Sequence, residues 1–170
     1  RDYVNDPGEY KVDEPDHLKL ARLIYAEAGS EWENKQILMH IGSSVLNRVK
    51  KRKINISDAI FSGEYLAVID HNRSSFNNPS KAIKRSSIEA KAWRACYNVA
   101  YDLIYEFEKS KKVKLHTWYT LKIQEDEADR GRTPEDKWDW FKKELNSGRA
   151  KELGVFQTSD QGLYYMYSAG

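Results

Sequence analysis

Leu20, Leu23 and Ile24 stand seven, four and three residues ahead of Glu27 in the run LARLIYAEAG, and this spacing constrains the chain more than any other feature. Residues at these intervals share one side of a helix. The run therefore predicts an amphipathic helix whose apolar face ends on a carboxylate, just before Gly29. Burial disfavours the charged form of a carboxyl and raises its pKa, which suits a general acid working near neutral pH. The same pattern also fits a glutamate at the edge of the stripe, salt-bridged or turned to water from the last helical turn. Periodicity leaves both readings open.

Residues 1–15, with Pro7, Gly8 and Pro15, read as an irregular polar arm. Asp16 is placed to cap the first helix, which runs to about Ala28. A second helix is expected over roughly Glu33 to Lys50, with Ile37, Ile41, Val45 and Val49 as its stripe. Gly42, Ser43 and Ser44 would let another helix approach closely, and the helix carrying Glu27 is the natural neighbour. Ser57 is a candidate cap for a short helix through Ile60, ended at Ser62-Gly63. The run from Asp70 to Pro79 reads as a polar loop around one aromatic, Phe76. Ser86 and Glu89 fit a capping box opening a long helix with Ile88, Ala92, Ala95, Val99, Leu103 and Phe107 on its stripe.

Val113 to Tyr119 alternates as a strand does, and Thr133-Pro134 opens another helix containing Trp138, Trp140, Phe141 and Leu145. Gly154 to Phe156 and Leu163 to Tyr167 suit a small closing sheet or hairpin. The expected class is mainly α with a minor sheet (α+β), with residues 16–170 forming one domain.

A chain of 170 residues can bury one real core but not two comfortable ones. Charged residues make up 32 % of it, which predicts a heavily solvated surface. The net charge of +2 argues against a nucleic-acid binder that relies on a broad basic field. The basic run Lys50 to Lys53 reads as a solvated helix end, although it could also touch an anionic polymer. Cys96 is the single cysteine, so neither an intramolecular disulfide nor a cysteine-built zinc site can form. His17, His40, His71 and His116 lack the spacing of a metal motif, and the acidic run from Glu125 to Asp129 lacks that of a calcium loop. No apolar run is long enough to span a membrane. Arg1 opens the chain in place of methionine, so it reads as a mature or trimmed fragment.

The stretch LARLIYAEAGSEWENKQILMHIGSSVLNRVK resembles the opening of the SleB-type cell-wall hydrolases, the spore-cortex lytic enzyme family. The resemblance is carried by Ala21, Arg22, Tyr25, Glu27 and Ala28, then by Val45, Leu46, Asn47, Arg48 and Val49. It is strong over residues 18–50 and weaker, though in order, afterwards. It implies a lysozyme-like helical fold that cleaves peptidoglycan glycan strands between N-acetylmuramic acid and N-acetylglucosamine, with the catalytic acid falling on Glu27. Family members carry a Gln-Phe pair where Gly63-Glu64-Tyr65 aligns, so Glu64 puts a second carboxylate where the family has an amide. The segment from Leu115 to Thr120 is similar to the family's aromatic strand and implies that His116 and Tyr119 line the saccharide groove. The terminal Leu163 to Tyr167 departs from the family in lacking its histidine.

On this reading Glu27 is general acid and then base of a lytic transglycosylase, because closing a 1,6-anhydro ring needs only one essential carboxylate. A muramidase-type hydrolase using Glu64 is the alternative, since hydrolysis usually needs a second carboxylate. A non-catalytic wall-binding or assembly module is the competitor from another class. Asn47, Phe76, His116 and Tyr119 are the expected substrate contacts, with the Asp70 to Pro79 loop as one groove wall. No cofactor or metal is expected, and the partner is the glycan strand itself, met by a monomer at the bacterial cell wall.

Overall fold

A computed structural model describes residues 3–69, 73–105, 117–120, 143, 146–148, 154–157 and 163–167. It divides into two compact units, Arg1–Val113 and Lys114–Gly170. The fold is mainly helical. The helix expected after Thr133-Pro134 lies outside the described residues, as do Phe107 and the acidic run.

The first unit is built around α1 (Asp16–Ala28). Nearly every residue of α1 is buried, including Lys19 and Arg22, because helices surround it. It packs on α7 (Ser87–Tyr105) and touches α2 (Lys35–Arg52), α3 (Ile56–Ile60), α4 (Leu66–Ile69) and α5 (Arg73–Asn77). The short α6 (Ser80–Arg85) packs on α7. Leu20, Leu23 and Ile24 have no exposed surface, so the stripe ahead of Glu27 is core.

Pro15, not Asp16, occupies the cap position of α1, and its carbonyl accepts from Leu18 and Lys19 N–H. Asp16 makes no side-chain cap and instead sits in the first turn, where a negative charge favours the helix dipole. At its far end α1 runs into a 3-10 turn, Gly29–Glu31. A Cβ at Gly29 would lie 3.1 Å from the Tyr25 ring, so a small residue keeps this exit open.

The close approach expected at Gly42 is present and two-sided. A Cβ there would collide with Leu103 Cδ1 of α7 and lie 3.1 Å from Ile24 Cδ1 of α1. Ile37, Ile41 and Val45 complete the buried face of α2. On α7 the buried face runs through Ala92, Trp93, Cys96, Val99, Ala100 and Leu103. Ile88, expected at its head, is exposed. In that first turn the contact with α1 goes through Glu89, which accepts a hydrogen bond from Tyr25 Oη, and Ile88 is rotated by about 100° from it.

The polar arm is irregular but firmly docked. Arg22, fully buried, donates to Glu14 through Nε at 2.7 Å and Nη2 at 3.0 Å. It also donates to the carbonyls of Gly8 at 2.9 Å and Pro7 at 3.0 Å in the arm, and of Phe76 at 3.2 Å in α5. A buried guanidinium is tolerated only when its charge and its donors are matched, and here both are. Trp93 Nε1 donates to Val4 O at 2.8 Å, and Tyr10 N–H donates to Asn77 O at 2.7 Å. Buried side chains of the first unit thus anchor the arm against its core.

Two local expectations shift by a residue or more. Asn55, not Ser57, caps α3, its Oδ1 accepting from Asp58 N–H at 2.8 Å. Ser57 Oγ accepts from Lys19 Nζ at 2.9 Å instead, which satisfies that buried lysine. Half of the capping box at α7 is present, with Ser86 Oγ accepting from Glu89 N–H at 3.4 Å.

In the second unit β1 (Thr117–Thr120), β2 (Gly154–Gln157) and β3 (Leu163–Tyr167) pair antiparallel in the order β1-β3-β2. Thr117 faces Tyr167 and Gly154 faces Met166 across the two ladders.

Candidate functional site

Glu27 sits one residue before the end of α1, with the core residues Leu23 and Ile24 one turn behind it. It keeps part of its surface open to solvent while protein surrounds most of the carboxyl. Its Oε1 accepts from Ala67 N–H at 3.2 Å. That amide belongs to the first turn of α4, where helical N–H groups have no partner within the helix. Burial pushes the Glu27 carboxyl up to about 7, and the single bond from Ala67 only partly opposes it. Such a group is near half protonation at neutral pH, so it can give a proton and then take one back. Of the two readings the periodicity left open, the buried one describes this residue.

Glu64 lies on the loop between α3 and α4 and is held by two arginines. Arg48 Nε bonds its Oε2, and Arg52 Nη2 lies 2.6 Å from its Oε1. Burial would raise this carboxyl, but hydrogen bonds and charge from Arg52 and Arg48 hold it below its ordinary value. Both oxygens are occupied by cations, which weakens Glu64 as a base.

Tyr65, which the sequence did not single out, shares the Arg48 guanidinium with Glu64. It is buried, its hydroxyl accepts from Arg48 Nη1 at 2.8 Å and lies 3.4 Å from Ser44 Oγ, and the Arg48 guanidinium stands 5.1 Å over its ring. Burial raises the Tyr65 phenol, and the Arg48 charge and the Ser44 hydrogen bond only partly oppose it. Tyr65 follows Glu64 in the chain and shares Arg48 with it, while Glu27 meets the same stretch through Ala67 N–H.

Phe76 does not join this group. Phe76, expected on a groove wall, is fully buried, with its ring 5.3 Å from Tyr10 and 5.6 Å from Phe61. The segment around it was read as a polar loop, but Arg73–Asn77 is helical, and the apolar Phe76 is what seats that turn against α1. Phe76 is therefore a core residue and not a saccharide contact. Asn47 is half-buried on α2 and bonded within the protein. His116 lies outside the described residues. Tyr119 lies on β1 of the second unit, opposite Tyr165.

Tyr25, expected to serve packing, is buried against Trp93 at 5.8 Å between ring centroids, and its hydroxyl donates to Glu89. Among the described residues no group of three or more histidine, cysteine, aspartate or glutamate side chains could hold a metal ion. No helix among them is long and apolar enough to cross a membrane. No protein-family model, no curated protein and no solved structure matches the chain.

Proposed function

We propose that this chain is a SleB-type peptidoglycan lytic transglycosylase with a lysozyme-like helical domain, cutting glycan strands between N-acetylmuramic acid and N-acetylglucosamine. The observation that carries the reading is Glu27, a carboxyl raised to about 7 at the end of a core helix, with one backbone donor and remaining solvent access. Protonated Glu27 donates its proton to the bridging oxygen as the glycosidic bond breaks and positive charge develops at the sugar's anomeric carbon. The resulting carboxylate then takes the proton of the same sugar's 6-hydroxyl, whose oxygen closes the 1,6-anhydro ring. The proton balance returns Glu27 to its starting state, and no second carboxylate is consumed.

The pairing of Glu64 with Arg48 and Arg52 favours this route over hydrolysis, because a carboxylate engaged on both oxygens activates water poorly. Purified sacculi digested with wild type, Glu27→Gln and Glu64→Gln, with products read by mass spectrometry, test the proposal. Anhydromuramic ends from wild type and Glu64→Gln, but not from Glu27→Gln, are expected. Reducing ends that disappear with Glu64→Gln would replace the mechanism with hydrolysis. Intact glycan in every sample, with protein retained on the sacculi, would leave a wall-binding module in its place.

A further inference from the structure

The helix α4 has only 4 residues, too few to sustain a helical turn by its own hydrogen bonds. Its start is set by Tyr65, whose carbonyl accepts from Val68 N–H at 3.1 Å and from Ile69 N–H at 3.3 Å. The Tyr65 ring is buried, and its hydroxyl accepts from Arg48 Nη1 at 2.8 Å. Arg48 thus grips the residue from which α4 hangs. The same guanidinium donates through Nε to Glu64, one residue earlier, and through Nη1 to Ser44 O at 3.3 Å on its own helix. That helix is seated in the core by Ile37, Ile41 and Val45. One buried side chain on a fixed platform therefore holds two successive residues ahead of α4.

Two residues beyond Tyr65, Ala67 N–H donates to Glu27 Oε1 at 3.2 Å. This is the long end of the N–H···O range, so a small displacement of the turn breaks the bond. Burial and the Ala67 bond act on the Glu27 carboxyl in opposite directions, burial the more strongly. Among the described residues, no charge of Arg48, Arg52 or Glu64 is a cause of that shift, and the three are paired with one another. Tyr65, on the same side, is a phenol raised by burial and stays neutral where Glu27 titrates. What Arg48 transmits to Glu27 is therefore position and not charge.

We propose that Arg48 is a positioning residue for Glu27: by gripping Glu64 and Tyr65 it sets the place of the Ala67 amide against the Glu27 carboxyl. Its consequence for glycan cleavage rests on the function proposed above.

The test follows the Ala67 amide signal and the Glu27 side-chain carboxyl signal of the full chain by NMR from pH 5 to 9. In wild type both should move together with a midpoint of about 7, and Glu27→Gln should abolish the Ala67 movement. Arg48→Gln should at least halve the Ala67 movement and raise the Glu27 midpoint by roughly half to one pH unit, the worth of one lost hydrogen bond. Tyr65→Phe keeps the buried ring, is expected to act in the same direction, and carries the test if Arg48→Gln does not fold. An Ala67 amide that moves as in wild type in the folded variants, or that does not titrate in wild type, would overturn the inference. So would a Glu27 midpoint that falls towards 4.5, because the stretch would then shield the carboxyl and not donate to it. On sacculi, the alkaline loss of cleavage should move up by the same interval in these variants, with the products unchanged. Cleavage by a protein whose Ala67 amide ignores Arg48 would sink this inference alone. An Ala67 amide that answers to Arg48 in a protein that cleaves no glycan would instead sink the catalytic reading and keep the positioning role.

Discussion

Replacing Glu27 by glutamine should make the protein more stable, and by an amount that depends on pH. Folding raises this carboxyl from an ordinary 4.5 to about 7. At about 1.4 kcal/mol per pH unit, holding it ionised in the folded state costs about 3 kcal/mol. The sign follows from linkage. Below pH 4.5 both folded and unfolded chains carry the proton, and no penalty exists. Between 4.5 and 7 the unfolded chain ionises while the folded one resists, so stability falls as pH rises. Above 7 the loss is complete. Because Glu27 keeps some solvent access, about 2–3 kcal/mol is the expected size.

Glutamine has the same shape, can still accept from Ala67 N–H, and never ionises. The melting temperature of Glu27→Gln should therefore match wild type at pH 4 and exceed it by on the order of 10 °C at pH 8. Every other titrating group is shared by the two proteins and cancels in the difference. Thermal unfolding followed by circular dichroism at pH 4, 5, 6, 7 and 8 gives the curve directly. Two melting profiles that run parallel across this range would refute the assignment of a raised, buried carboxyl, and the catalytic argument would fall with it.

Arg22→Met should cost about 3–5 kcal/mol, since it leaves the buried Glu14 carboxylate and several carbonyls of the arm without their donor. Faster proteolysis within residues 3–15 should accompany the lower melting temperature, and a loss below about 1 kcal/mol would contradict the keystone role given to this arginine. Gly42→Ala should destabilise by about 1–3 kcal/mol, because overpacking against Leu103 and Ile24 outweighs the usual helical gain from alanine. In a Leu103→Ala background the same change should become neutral or favourable, and additivity between the two sites would disprove the steric account.

The helices α1 and α2 were readable because their information is local. A stripe of Leu20, Leu23 and Ile24, or of Ile37, Ile41 and Val45, is written within a few turns, and burying it is the main gain the segment can make. The position of Glu27 at the end of such a stripe was legible for the same reason, and Gly42 announced a close approach through its missing side chain. Its second neighbour, Leu103 on α7, was not announced, because it comes from sixty-one residues along the chain.

The behaviour of the carboxylates depended on groups remote in sequence. Ala67 reaches Glu27 from forty residues away, and Arg48 and Arg52 turn Glu64 from a free loop residue into an ion-paired one. Phe76 sits in a polar run that reads as loop, yet one aromatic side chain suffices to seat a short helix once Tyr10 and Phe61 offer it a pocket. The arm shows the same limit, since its prolines and polar residues mark only an irregular segment, and its docking depends on the donors of the buried Arg22. Periodicity reports which face of a segment avoids water. Protonation, ion pairing and docking are set by what packs opposite that face, and that is a property of the folded chain.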